Sequence, residues 1–312
     1  MRFFRNPNYD FMSIRKIAMG ISLTLIALSI ISLIIHGGPR YGVDFRGGTF
    51  MEIKFEDPID PQKVLDIPID KVRSVLADFG LAQAEVKHYG STQEIAIRAD
   101  VTKNTDELMN NLVTKLEEKF PGTKVLEMRK ETVGPKVGKE LVWAAIWAIL
   151  VAMLLILVYL MWRFELRFGI GAVAALFHDV TITLGVFSIM NIEITVPIVA
   201  ALLTIIGYSL NDTIVVYDRI RENLKGMRRK NFDFEGLINT SINETLSRTI
   251  ITSGTTLIVV LVLYLFGGEV IKDFAFALLL GIIIGTYSSI YIASPILVEW
   301  EDRIIEKTVK KK

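Results

Sequence analysis

The chain has 312 residues, a formal net charge of +1 and a hydrophobic fraction of 51%. A mean hydropathy of +0.43 beside 22% charged residues excludes an ordinary soluble protein unless the apolar residues are gathered in blocks. The near-zero charge excludes a general nucleic-acid binder, and the absence of cysteine excludes a disulfide framework, a thiol nucleophile or a cysteine-based metal site.

Residues 1–16 form a short segment carrying Arg2, Arg5, Arg15 and Lys16, and an apolar run over 17–35 follows. That run is longer than a signal-peptide core and has no A-x-A-like cleavage site before His36, so it is expected to be a retained anchor. Residues 36–140 are then expected to fold outside the membrane. TFMEIKFE alternates Met51, Ile53 and Phe55 with charged residues, the period of a half-buried strand. IDKVRSVLADFG places Ile69, Val72, Leu76 and Phe79 on one helical face, with Gly80 as a stop. AEVKHY and QEIAIRA read as strands joined at Gly90–Ser91. Leu108, Leu112, Leu116 and Phe120 recur every four residues in a second helix ended by Pro121, and TKVLEMRKETV is a final strand. This order, βαββαβ, is the ferredoxin-like split unit, a fold that by itself identifies no function.

Five more runs are long enough, at about 17–25 residues, to cross a bilayer: 141–161, 169–190, 196–216, 249–266 and 274–298. The predicted fold class is therefore an α-helical polytopic membrane protein with six spans and one external α+β domain between the first two. Arg163, Arg167, Arg219, Arg221, Lys225, Arg228, Arg229 and Lys230 gather on one side of the spans, as do Lys307 and Lys310 to Lys312. Lys272 is the only basic residue in the short connections opposite. By the positive-inside rule the basic loop 217–248, the tail 299–312 and both termini are cytoplasmic.

The fourth span contains Asp212, and an acid at that depth costs roughly 2.5–3.5 kcal/mol on insertion scales. Thr204, Tyr208, Asn211 and Asp212 fall on one helical face, and Arg248, Thr252, Thr255 and Thr256 make a matching stripe on the fifth span. Gly281, Gly285, Ser288 and Ser289 give the sixth the small-residue spacing of close helix packing. A proton relay built on Asp212 and Arg248 with Asn211, Thr252 and Thr255 is one reading. A static polar clamp at Asp212 and a snorkelling Arg248 are the alternative. His178, Asp179, Tyr208, Ser288 and Ser289 are candidates for relay or brace. His36, His88 and His178 show no ligand spacing, and no nucleophile elbow or nucleotide loop occurs in a suitable context, so neither catalysis nor a metal or cofactor is expected.

GVDFRGG, just after the first span, precedes a strand and opens no helix, so it is not a phosphate loop. Read as an extended segment, it points Asp44 and Arg46 the same way. Gly42, Phe45, Gly47 and Gly48 complete a motif read as a hinge rather than a substrate contact.

YGVDFRGGT (41–49), SLNDTIVVYDRIREN (209–223), LSRTIITSGTT (246–256) and GIIIGTYSSIYIASPILV (281–298) together closely resemble the SecF family of protein-export membrane proteins. The likeness spans nearly the whole chain. It implies a place in the proton-driven resistance-nodulation-division superfamily and a bacterial inner-membrane location. It implies pairing with SecD as two pseudo-symmetric halves, and H⁺ as the coupling ion for late export of unfolded preproteins through SecYEG. The family's intramembrane Asp and Arg fall on Asp212 and Arg248. A non-conducting scaffold for the translocon, or half of a small-molecule exporter, are the other functions this sequence accommodates.

Overall fold

A computed structural model describes residues 7–61, 63–226 and 233–309. The charges expected at Arg2, Arg5, Arg228, Arg229, Lys230 and Lys310 to Lys312 lie outside the described residues, as does the side chain of Lys307. The chain divides into two compact units, one over Tyr41–Ala145 and one made of the rest.

The smaller unit follows the first long helix, α1 (Arg15–Ile35), and opens on one helical turn, α2 (Val43–Arg46). Next come β1 (Gly48–Glu56), α3 (Ile69–Asp78), β2 (Glu85–Tyr89), β3 (Ser91–Ala99), α4 (Thr105–Lys119) and β4 (Lys124–Val133). The strands form one antiparallel sheet in the order β2-β3-β1-β4, the arrangement a βαββαβ unit produces. Met51, Ile53 and Phe55 are fully buried in a core with Val72, Leu76, Ile95, Ile97, Leu112 and Leu116. The alternation of β1 and the four-residue spacing of α4 therefore point where the sequence places them. Glu52 departs from the pattern: it lies on the outer face yet is only 8% exposed. It pairs across the sheet with Arg129, at a bulge where Met128 is the extra residue of β4.

The larger unit is a bundle. Long apolar helices are α1, α5 (Pro135–Arg163), α6 (Leu166–Ile189), α7 (Val196–Gly226), α8 (Phe234–Phe266) and α9 (Glu269–Ser288). The last continues through a π-helical turn, Ser289–Ala293, into α10 (Ser294–Val309). Six of these helical stretches are long and apolar enough to cross a membrane. Their packing is inverted relative to a soluble bundle. On α1 the buried residues are Ala18, Ser22, Ser29 and Ser32, while Ile17, Ile21, Leu25 and Leu28 are exposed. Lipid competes equally well for the large apolar side chains, so small residues make the helix contacts. A β-carbon on Gly281 would run into Ile205, and one on Gly285 would sit 2.9 Å from Cβ of Ser209. The expected small-residue stripe thus seats α9 against α7.

The basic stretch read as loop 217–248 is mostly helix. α7 runs on to Gly226, and α8 begins at Phe234 behind Asp233, whose side chain caps the backbone N–H of Gly236 at 2.9 Å. Arg219 clamps Glu244 at 2.6 Å and Glu222 at 2.8 Å across this helical extension. Hydropathy marks where lipid ends, and these ion pairs carry the helices past it. Likewise much of the predicted tail, 299–312, continues α10 to Val309. The segment before α1 docks on the same extension: Asn239 Oδ1 accepts from the backbone N–H of Phe11 at 2.9 Å, and Asn243 Oδ1 from that of Tyr9 at 2.9 Å.

Candidate functional site

Asp212 is 2% exposed, so α7 carries this carboxylate into the bundle rather than to the surface. Its Oδ2 accepts from the Ser253 hydroxyl of α8 at 2.9 Å, and that oxygen accepts in turn from Thr286 of α9 at 2.9 Å. Three helices therefore meet at one acid. Arg248 lies close enough for its charge to act on Asp212, yet among the described residues no ion pair joins them, and Arg248 is exposed on this chain.

A second buried carboxylate lies on α6. Asp179 is fully buried and His178 is 2% exposed. Asp179 Oδ1 lies 2.8 Å from His178 Nδ1, while Oδ2 accepts from Ser209 of α7 at 2.6 Å and Ser288 of α9 at 2.8 Å. The His178 ring stacks on Tyr287, with centroids 6.1 Å apart, and the Tyr287 hydroxyl donates to the Ala18 carbonyl of α1 at 2.8 Å. Thus α7 and α9 take part in both acid sites: α7 carries Asp212 and gives Ser209 to Asp179, while α9 gives Thr286 to Ser253 and Ser288 to Asp179.

The predicted stripe on α7 splits. Asp212 turns inward, whereas Thr204 and Asn211 are exposed and Tyr208 is half-buried with its hydroxyl atom unpartnered. On α8, Thr252, Thr255 and Thr256 bond back to carbonyls of their own helix. Of the residues that hold the acids, Ser253, Thr286 and Ser209 were not singled out by the spacing, whereas Ser288 was. Ser253 sits inside TSGTT, where four hydroxyls in five residues give no rotational preference. Ser288 is placed on Asp179, and Ser289 donates to the Thr286 carbonyl at 2.9 Å where the π-turn begins.

The GVDFRGG segment is not extended. Val43–Arg46 form a helical turn, closed by the Gly47 N–H on the Val43 carbonyl at 2.9 Å, so Asp44 and Arg46 do not share the direction an extended chain would give them. Gly47 and Gly48 take φ values of +83° and +106°. A β-carbon on Gly48 would lie 2.7 Å from the Ala99 carbonyl oxygen, one on Gly47 2.9 Å from Cα of Pro135, and one on Gly138 2.6 Å from the Phe45 carbonyl oxygen. Side chains are excluded here by backbone on both sides.

Residues 112–303 match the profile of the C-terminal region of the protein export membrane proteins SecD and SecF, and residues 32–59 match the SecD/SecF GG motif. The chain is 47% identical over 317 aligned positions to the protein translocase subunit SecF of Desulfurispirillum indicum, covering 100% of this chain and 96% of that one. The chain belongs to the SecF family. The SecF of Rhodothermus marinus is 46% identical, with 97% of this chain and 96% of that one covered. Among solved structures, SecDF of Thermus thermophilus, a translocon-associated membrane protein, matches with a TM-score of 0.83 at 37% identity. That match covers 95% of this chain and 39% of the SecDF chain, so this SecF-family chain spans about two fifths of that molecule. SecDF in a super-membrane-facing form matches with a TM-score of 0.72 at 35% identity, covering 99% and 41%.

Proposed function

We propose that this chain is one half of a SecD–SecF pair in the bacterial inner membrane, with both termini cytoplasmic, that couples H⁺ movement to late preprotein export through SecYEG. The observation that carries the reading is Asp212, buried at the meeting of three membrane helices with hydroxyls in place of a counter-charge. A buried acid with a cation nearby and no fixed ion pair can change its protonation when the cation approaches or withdraws. Arg248 supplies that cation, and Asn211, Thr252 and Thr255 are the polar side chains of α7 and α8 assigned to the relay with it. A proton crossing the full potential releases about 2.3 kcal/mol per 100 mV, enough to bias a two-state motion. Exposed Thr204, Asn211 and Arg248 are costly against lipid, and the second half, SecD, covers them in this reading. The match of this chain to about two fifths of a SecDF molecule supports a missing half. The unfolded preprotein is met by the external domains of both halves.

The test is Asp212→Asn in vesicles containing SecD and SecYEG. Proton conductance and preprotein release are expected to fall at least tenfold while SecD still copurifies. Unchanged conductance defeats the relay, and loss of copurification favours the static clamp.

A further inference from the structure

The His178–Asp179 pair plays no part in the relay drawn above, yet its geometry is that of a proton-holding site. Each oxygen of Asp179 is already engaged: Oδ1 by His178 Nδ1 at 2.8 Å, Oδ2 by the hydroxyls of Ser209 and Ser288 at 2.6 and 2.8 Å. The two hydroxyls donating to Oδ2 fix that oxygen as an acceptor, and an ionised carboxylate accepts at Oδ1 from the Nδ1–H of His178 as well. An isolated carboxylate inside the bundle carries a desolvation penalty that a counter-charge offsets. Among the described residues no lysine or arginine forms an ion pair with either residue; the titratable group facing the pair is Tyr287 of α9, stacked on the imidazole, and Asp212 lies on α7 three residues beyond Ser209. From α1, the Ser22 hydroxyl and the Ala18 carbonyl meet the Tyr287 hydroxyl at 3.1 and 2.8 Å. His178 is the group in contact with Asp179 that can supply a positive charge, and it does so when both ring nitrogens carry a proton.

The second observation is independent of Asp179. His178 Nε2 is buried and has no hydrogen-bond partner. A static brace satisfies both ring nitrogens, since leaving a buried polar group unmet is costly. An open nitrogen beside a fixed carboxylate is where a proton or a water arrives.

We propose that His178 and Asp179 form a second protonatable site of the bundle, with His178 taking up and releasing a proton at Nε2 while Asp179 stays ionised. Uptake at Nε2 converts neutral imidazole, hydrogen-bonded to Asp179 through Nδ1–H, into imidazolium; release reverses it, and no other bond changes. Ser209 lies three residues before Asp212 on α7, and Ser288 two after Thr286 on α9. The charge on this pair thus acts on the two helices that also hold Asp212. The proposal extends the proton-coupling reading but stands on its own geometry.

The chain has three histidines, so ¹⁵N-histidine NMR of the full chain with SecD in lipid nanodiscs resolves the site, the His178 signal being the one lost in His178→Asn. Between pH 5 and 9 the native signal is expected to pass between neutral and doubly protonated imidazole. In Asp179→Asn it is expected to stay neutral throughout. A native His178 fixed in one state over that range overturns the proposal, as does an imidazolium that survives Asp179→Asn. If Asp179→Asn does not fold, the native titration alone decides. Failure of the Asp212→Asn conductance test removes the relay and leaves this site in place, so the two readings fall separately.

Discussion

Ser253 is the smallest change that isolates how Asp212 is held. Ser253→Ala removes the hydroxyl donated to Oδ2 and leaves Thr286 with the Ile282 carbonyl of its own helix as acceptor. Leaving a buried acceptor short of a partner is expected to destabilise the bundle by about 1–3 kcal/mol, read as a lower thermal midpoint in detergent, with Ser253→Thr restoring most of it. Asp212 itself was legible as a charge in an apolar run. Its partner was not, because rotation of α8 about its axis is fixed by packing against α7 and α9 and leaves no trace in a segment where hydroxyls face every way. In the external domain, burial pushes the Glu52 carboxyl above the usual carboxylate range, the like charge of Glu94 adds to this, and Arg129 opposes both. The folded state then binds this proton more tightly than the unfolded chain does. Stability falls as pH rises from the ordinary carboxylate value through the raised one. Glu52→Gln is expected to raise the thermal midpoint of the external domain at pH 7, and the gain is expected to vanish below about pH 4, where the native side chain is protonated in both states.

At the scale of elements, the α7–α9 contact is set by glycine. Gly285→Leu forces a side chain against Ser209 and is expected to cost about 1–3 kcal/mol, or to prise the helices apart with loss of the carboxylate contacts on both sides; the melting of the purified chain reports the first outcome and loss of transport the second. Leu112→Ala, at the centre of α4, is expected to cost about 2–5 kcal/mol and to unfold the external domain selectively, seen as early loss of amide protection in β1. The strands and helices of that domain were readable because each buries one face, which imposes a period on the sequence. The turn at Val43–Arg46 was not, since four residues are too few to show a period and the flanking glycines suggested an extended chain. The π-turn at Ser289–Ala293 was equally silent. Its displaced carbonyls are met by Ser294, donating to Ser289 at 2.9 Å, and by Tyr217, donating to Ala293 at 3.0 Å, contacts that only the folded bundle assembles.

For the whole molecule, six apolar runs are a coarse signal that survives any local misreading, which is why the six spanning helices were visible before the structure. What the sequence withheld was the inside of the bundle: hydropathy does not distinguish a residue facing lipid from one facing a neighbouring subunit. The exposed positions Thr204 and Asn211 on α7 resolve this experimentally. The chain has no native cysteine, so Asn211→Cys and Thr204→Cys each introduce a single thiol. Both are expected to crosslink to cysteines placed in the membrane helices of SecD, whereas Ile258→Cys, exposed on the apolar flank of α8, is expected to give little crosslinking and to react with lipid-soluble probes instead. Equal crosslinking at all three positions removes the argument that the polar face is the docking face.

The glycine contacts around β1 bear on how such a molecule diversifies. Gly48 pairs with Val133, so the first residue of the sheet and the last stand side by side, and Gly47 touches Pro135 just beyond. The small domain thus has its entrance and exit at one doorway. A cassette with neighbouring ends can be enlarged, exchanged or removed while keeping the same pair of attachment points to the rest of the chain, so its size and surface are free to change without redesign of the bundle.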